Sequence, residues 1–207
     1  MNGSNYEMAR TMSGVAQVDT PVAVTLDPLL LMAMLIALAA VLTAAMVMQY
    51  AFGEIPCPLC LLQRYAMFGC CFGIVMQLRS PDSERGAGVG AIFAVVLLVI
   101  SVRQTLLDLF PRPGHAYVGS AVFGIHMPVW SVFIAVALLA GFAVRLALFG
   151  APRPSVLSAL SPMMSRLTYS LALYVLLICA INFVSVVVQC GVGECHTTGY
   201  VLLSSRH

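Results

Sequence analysis

Residues 57–78 read Cys-Pro-Leu-Cys-Leu-Leu-Gln-Arg-Tyr-Ala-Met-Phe-Gly-Cys-Cys-Phe-Gly-Ile-Val-Met-Gln-Leu. A bilayer is crossed by about 20 apolar residues in a helix, and Pro58 to Leu78 is one such run. Pro58 suits the first helical turn, where its missing N–H is no loss. Cys60 then lies in that first turn, where the positive end of the helix stabilises a thiolate. Arg64 follows four residues later on the same face. An arginine inside a spanning segment is costly and marks a functional site by default; the plainer alternative is a helix-end side chain snorkelling to the head groups. Two cysteines two residues apart can close a short, reactive disulfide. The stretch therefore puts redox chemistry at a membrane surface.

The rest of the chain agrees. Of its 207 residues, 61% are hydrophobic and only 9% charged, where a soluble domain carries roughly a quarter. Mean hydropathy is +0.99. Four further spans are expected: Leu29 to Tyr50, Ala87 to Leu109, Val129 to Phe149 and Thr168 to Val188. The expectation is an all-α membrane protein, divided into a flexible polar N-terminal tail (1–28), a four-helix membrane bundle (29–150), a connection with a fifth transmembrane helix (151–188) and a tail (189–207). The N-terminal tail lacks a charged start followed by an apolar run, so it does not read as a cleaved signal peptide. The net charge of +2 is too small to suggest a nucleic acid partner, and none is expected. A lipid bilayer is the expected surrounding.

Arginines set the orientation, because short cytoplasmic loops are rich in positive charge. All ten basic residues are Arg. Arg79 and Arg85 flank the 2–3 connection. Arg145, Arg153 and Arg166 flank the 4–5 connection, and Met1 to Pro28 falls on the same side. The 1–2 turn and the segment Cys190 to Cys195 have none, and the 3–4 loop has only Arg112. The cysteine pairs Cys57/Cys60 and Cys190/Cys195 then face the opposite, non-cytoplasmic side. Four cysteines at span ends suggest an oxidising compartment. Cys70, Cys71 and Cys179 lie within apolar runs and read as small buried hydrophobes.

Other polar residues carry weaker signals. Arg103, Gln104 and Asp108 lie near the outer end of the third span. Arg103 either shares a polar pocket with Arg64 or snorkels. His115 and His126 read as ordinary loop residues. Asn182 is expected to hydrogen-bond between helices, and Trp130 to sit in the interfacial aromatic belt. Cys190, Cys195 and His196 could complete a metal site with Cys57 and Cys60, but no metal is expected.

The run from Cys57 to Gly69, with Arg103-Gln104 and Met127-Pro128-x-Trp130, resembles the DsbB family of bacterial disulfide-bond formation proteins. The resemblance covers roughly Leu29 to Phe149. It implies a four-helix bundle in the bacterial inner membrane with its redox cysteines on the periplasmic side. It implies a quinone-dependent oxidoreductase that takes electrons from a DsbA-like periplasmic dithiol protein and passes them to ubiquinone or menaquinone. Cys60 would meet the quinone ring, Arg64 would help hold the quinone, with Arg103 and Gln104 as further quinone-site candidates, and Cys57 would exchange with a second cysteine pair. In the family that pair lies between helices 3 and 4, but here Pro111 to Pro128 contains no cysteine. Cys190 and Cys195 either replace it, form a structural staple, or stay as free thiols. Two rival functions have different signatures. A non-catalytic subunit of a larger complex would not need Cys57 and Cys60, and a thiol reductant exporter would keep its cysteines reduced and need no quinone.

Overall fold

The structure, a computed structural model, describes residues 21–80, 83–110, 121–122, 124–149 and 162–191. Five helices carry the fold: α1 (Pro21–Ala51), α2 (Pro58–Arg79), α3 (Arg85–Leu109), α4 (Met127–Phe149) and α5 (Pro162–Cys190). Each is long and apolar enough to cross a membrane, so the chain is a multi-pass, all-α membrane protein. Before α4, β1 (Ala121–Val122) and β2 (Ile125–His126) pair antiparallel, Ala121 facing His126. This small hairpin falls within a connection expected to be plain loop.

α2 and α3 form the tightest pair because small residues let their backbones meet. Gly69 and Gly73 on α2, and Gly86 and Gly90 on α3, both repeat at a spacing of four, the pattern that permits close helix approach in lipid. A Cβ on Gly73 would collide with the backbone of Gly90, and one on Gly86 with the backbone of Gln77. Neither obstacle is a side-chain end that can swing aside. Gly73→Leu is therefore expected to force the helices apart, at a cost of about 2 kcal/mol or more. A thermal melt in detergent checks this, and an unchanged midpoint would refute the close approach.

The core lies between α1, α2, α3 and α4, around Leu35, Leu38, Leu42, Ile74, Leu97 and Phe142. Outward faces carry residues such as Phe72, Val99, Phe133 and Leu173, as lipid requires. α5 packs its Thr168, Val175, Ile178, Asn182, Ser185 and Gln189 inward, a three-and-four spacing that keeps one stripe against the bundle.

The end of the bundle away from the Cys-x-x-Cys is held by charge. Arg145 of α4 is almost fully buried and bridges Asp27 of α1 at 2.9 Å and Glu84, the residue capping α3. This pairing explains a departure from the expected boundary. The first helix was expected from Leu29, with residues up to Pro28 in a polar tail, yet it begins at Pro21 and carries Asp27 inside. A carboxylate with a buried arginine to meet belongs on the helix that delivers it. Residues 1–20 lie outside the described residues, as do His115, Cys195 and His196.

Candidate redox site

Cys57 caps α2 in an extended conformation, with Pro58 in the first turn as expected. Its Sγ accepts the backbone N–H of Cys60 at 3.1 Å. Cys57 and Cys60 are joined as a disulfide with their Cα atoms 5.1 Å apart. Gln104 of α3 donates from Nε2 to both sulfurs, at 3.4 Å each. The pair thus lies where N–H groups converge, and such donors stabilise negative charge on sulfur.

Gln104 is itself held. Gln63 of α2 donates from Nε2 to Gln104 Oε1 at 3.0 Å and to Ser101 Oγ at 3.2 Å. Ser131 of α4 donates to Gln63 Oε1 at 3.3 Å. Gln63, Ser101, Gln104 and Ser131 are all buried. In lipid each such group must find its partner within the protein, so this chain of amides and hydroxyls fixes how three helices meet under the disulfide.

Arg64 is buried one turn below Cys60. Its Nη1 donates to Gln49 Oε1 at 2.6 Å and to Asn182 Oδ1 at 3.2 Å. Nη2 donates to the Ala45 carbonyl at 3.0 Å. Acceptors from α1 and α5 therefore aim a guanidinium carried on α2. Snorkelling does not describe it, because a snorkelling head would reach water.

Cys57, Cys60, Gln63, Arg64 and Gln104 all line one cavity of about 630 Å³. Its other walls are Val41, Ala44, Ala45, Met48, Met67 and Ile134, with Trp130 and Glu54 at the cysteine end. Trp130, read from sequence as an interfacial anchor, thus also forms part of the site and meets Phe133 edge-on at 6.1 Å.

Arg103 is not brought to this cavity. It is exposed and lines a separate depression on the outer face of α3 with Leu98, Val99, Val102 and Leu106. Successive helical residues point about 100° apart. Since Gln104 faces the disulfide, Arg103 must turn outward. The shared pocket with Arg64 is thereby ruled out for Arg103, and the snorkelling alternative describes its position.

Cys190 is the last residue of α5, and Gly191 after it takes the left-handed conformation (φ 59°) that ends helices. Cys190 is disulfide-bonded. Its neighbour Gln189, fully buried, donates to the Pro56 carbonyl at 2.9 Å. The end of α5 is thereby tied to the residue before Cys57. Asn182 fulfils the expected inter-helix hydrogen bond, to Arg64. Cys70, Cys71 and Cys179 are free thiols, the first two fully buried and Cys179 half-buried, as read from their apolar surroundings.

Residues 27–116 match the family described as "Disulfide bond formation protein DsbB". The match holds α1 from Asp27 onward, α2, α3 and the whole Cys-x-x-Cys/Arg64/Gln104 cluster. This part of the chain is similar to the DsbB family. Three curated proteins named "Disulfide bond formation protein B" are similar. That of Azoarcus sp. is 33% identical over 79 residues, which is 35% of this chain and 46% of its own. That of Chromohalobacter salexigens is 31% identical over 100 residues, 42% and 55% of the two chains. That of Verminephrobacter eiseniae is 30% identical over 81 residues, 37% and 45%. The chain spans about half the length of these relatives. No solved structure gives a significant match. Both α4 and α5 lie beyond the family match.

Gln49, Gln63, Ser101, Ser131 and Glu54 were not singled out from sequence. A signal for the first four was present, since an amide or hydroxyl within an apolar span needs a partner. The partner itself is set by packing.

Proposed function

We propose that this protein is a thiol:quinone oxidoreductase of the bacterial inner membrane. It takes two electrons from a DsbA-like periplasmic dithiol protein and delivers them to ubiquinone or menaquinone. The observation that carries this reading is the Cys57–Cys60 disulfide opening onto the same membrane-level cavity as the buried Arg64. The similarity of residues 27–116 to the DsbB family supports it.

The cavity suits a quinone. Its apolar walls match a ring and an isoprenoid chain, and its donors lie on the wall that carries the cysteines. Arg64, Gln104 and Cys60 would hold the head group. When bound, the quinone supplies the electron acceptor, taking up two electrons and two protons to leave as quinol.

The chain's own residues do the rest. An incoming thiolate attacks Cys57 Sγ, forming a mixed disulfide and releasing Cys60 as thiolate. Exchange favours the route whose leaving thiol has the lower pKa. The α2 N-terminus and the Gln104 amide both lower the cost of charge on Cys60. Arg64, aimed by uncharged acceptors, stabilises negative charge developing on a carbonyl oxygen in the cavity. The donor's second thiol attacks the mixed disulfide, so that the donor leaves oxidised and Cys57 is released as thiolate; Cys57 and Cys60 then give up two electrons to the acceptor as their disulfide closes again. In net terms one dithiol loses two electrons and two protons.

The test is quinol formation by the purified protein, fed with a reduced dithiol and a short-chain quinone. Arg64→Leu is expected to raise the quinone KM roughly tenfold, since a lost hydrogen bond to a charged group is worth about 1.5–3 kcal/mol. Its disulfide should still form. Arg64→Lys should recover only part, lacking the planar fork. Unchanged quinone kinetics in Arg64→Leu would remove Arg64 from the site. No quinol from the unmodified protein would remove the proposed function.

A further inference from the structure

The residues that touch Arg64 come from α1 and α5, and α5 lies wholly outside the family match. A helix added to a bundle for packing alone would present an apolar edge. The inward stripe of α5 adds polar contacts to its core residues Val175 and Ile178. Gln189 bonds the Pro56 carbonyl, Ser185 bonds Tyr50, Tyr174 shares a 2.7 Å bond with Thr43, and Thr168 reaches Met32. All four contacts reach α1 or the turn after it. Asn182 reaches past α1 to hydrogen-bond Arg64 of α2 within the cavity wall, while near the other end of α5 the Tyr169 ring lies against Arg79 of α2.

The geometry around Asn182 is specific. Arg64 has donors only, so the oxygen of Asn182 must face it. That commits Nδ2 to the other side, where it is fully buried and has no hydrogen-bond partner among the described residues. A half-satisfied buried amide is costly, and a leucine at this position would avoid the cost. The Arg64 contact is the return for keeping the amide. Gln49, Asn182 and the Ala45 carbonyl are uncharged acceptors that orient the guanidinium.

We infer that Asn182 is a positioning residue for Arg64, and that α5 is thereby a working part of the quinone site rather than an accessory span. This rests on the proposed function, because it assigns Arg64 the role of holding the quinone head group. Asn182 does not line the cavity, so it acts through Arg64 and not by touching the ligand.

Binding can be read without turnover. Trp130 is the single tryptophan of the chain and lines the cavity, so quenching of its fluorescence by a short-chain quinone reports affinity in the full-length protein. Asn182→Leu is expected to weaken binding about tenfold, while dithiothreitol reduces Cys57–Cys60 at an unchanged rate. Asn182→Ala, which is less demanding of space, should do the same if the leucine variant does not fold. Ser185→Ala, which loosens α5 without touching Arg64, should leave affinity unchanged. In an Arg64→Leu background, Asn182→Ala should have no further effect, because residues that act through one another are not additive. Wild-type affinity in the folded Asn182 variants would overturn the inference and leave the proposed function standing. An equal loss in Ser185→Ala, or an additive loss in the double variant, would overturn it too. A wild-type protein that shows no quenching by quinone would overturn both.

Discussion

Changing either Cys57 or Cys60 to Ser is expected to bring dithiol-driven quinone reduction down to the uncatalysed background. Among the described residues lining the cavity, Cys57 and Cys60 supply the thiolate nucleophile, and a serine hydroxyl neither forms a disulfide nor leaves as a stable anion. The two variants should fail differently. Without Cys60, the remaining Cys57 can still enter a mixed disulfide once oxidised, but no neighbouring sulfur can release it. Without Cys57, Cys60 keeps its place in the first turn of α2 but loses the sulfur that accepts its N–H at 3.1 Å. The measurement is quinol formation with a small dithiol, beside alkylation trapping of the cysteines in membranes with and without quinone. Full turnover in both variants would leave only the non-catalytic subunit. Cysteines found reduced at steady state, indifferent to quinone, would favour an exporter of reducing equivalents. The disulfide seen between Cys57 and Cys60 is the oxidised state that the oxidoreductase reading needs at rest.

What could be read before any coordinates were in hand follows the range over which each signal acts. The Cys57-Pro58-x-Cys60 cap and Arg64 four residues on are local. Helix geometry alone puts them on one face, and the structure agrees. The five spans were legible because hydropathy over about 20 residues is insensitive to partners. The start of α1 was not, since Asp27 argues for a tail until Arg145, 118 positions away, is known to receive it. Arg103 and Gln104 show the limit most sharply. They are adjacent, both polar, and both near the outer end of α3. Only the rotation of α3 against α2, set by contacts between glycines, decides that the amide meets the sulfurs and the guanidinium meets the surroundings. Gln49, Gln63 and Asn182 were visible as polar residues in apolar runs. Which of them touch Arg64 and which touch Gln104 depends on the packing of helices far apart in the chain.

Replacing both Cys190 and Cys195 by Ser is expected to block oxidation of the protein partner while small dithiols still reduce quinone through Cys57–Cys60. The segment between α3 and α4, Pro111 to Pro128, has no cysteine to meet a partner. The Cys57–Cys60 pair sits half-buried behind a short turn, which a small dithiol can enter more easily than a folded protein. The end of α5 is well placed to bridge that gap. Gln189 is bonded to the carbonyl of Pro56, so Cys190 follows one residue after the bond and Cys57 one residue after Pro56. Once the partner reduces the disulfide at Cys190 to a dithiol, a thiolate there would attack Cys57 and pass the electrons inward, each step conserving one disulfide and one dithiol. Single changes at Cys190 or Cys195 should accumulate mixed disulfides with Cys57 or with the partner, visible as shifted bands on a non-reducing gel. A double variant that oxidises the partner at the full rate would make the second pair a staple at the end of α5 and would mean that the partner reaches Cys57 directly. Loss of turnover with small dithiols as well would point to damage at the α5–Pro56 contact, and Gln189→Leu, which breaks that contact while keeping all four sulfurs, separates the two effects.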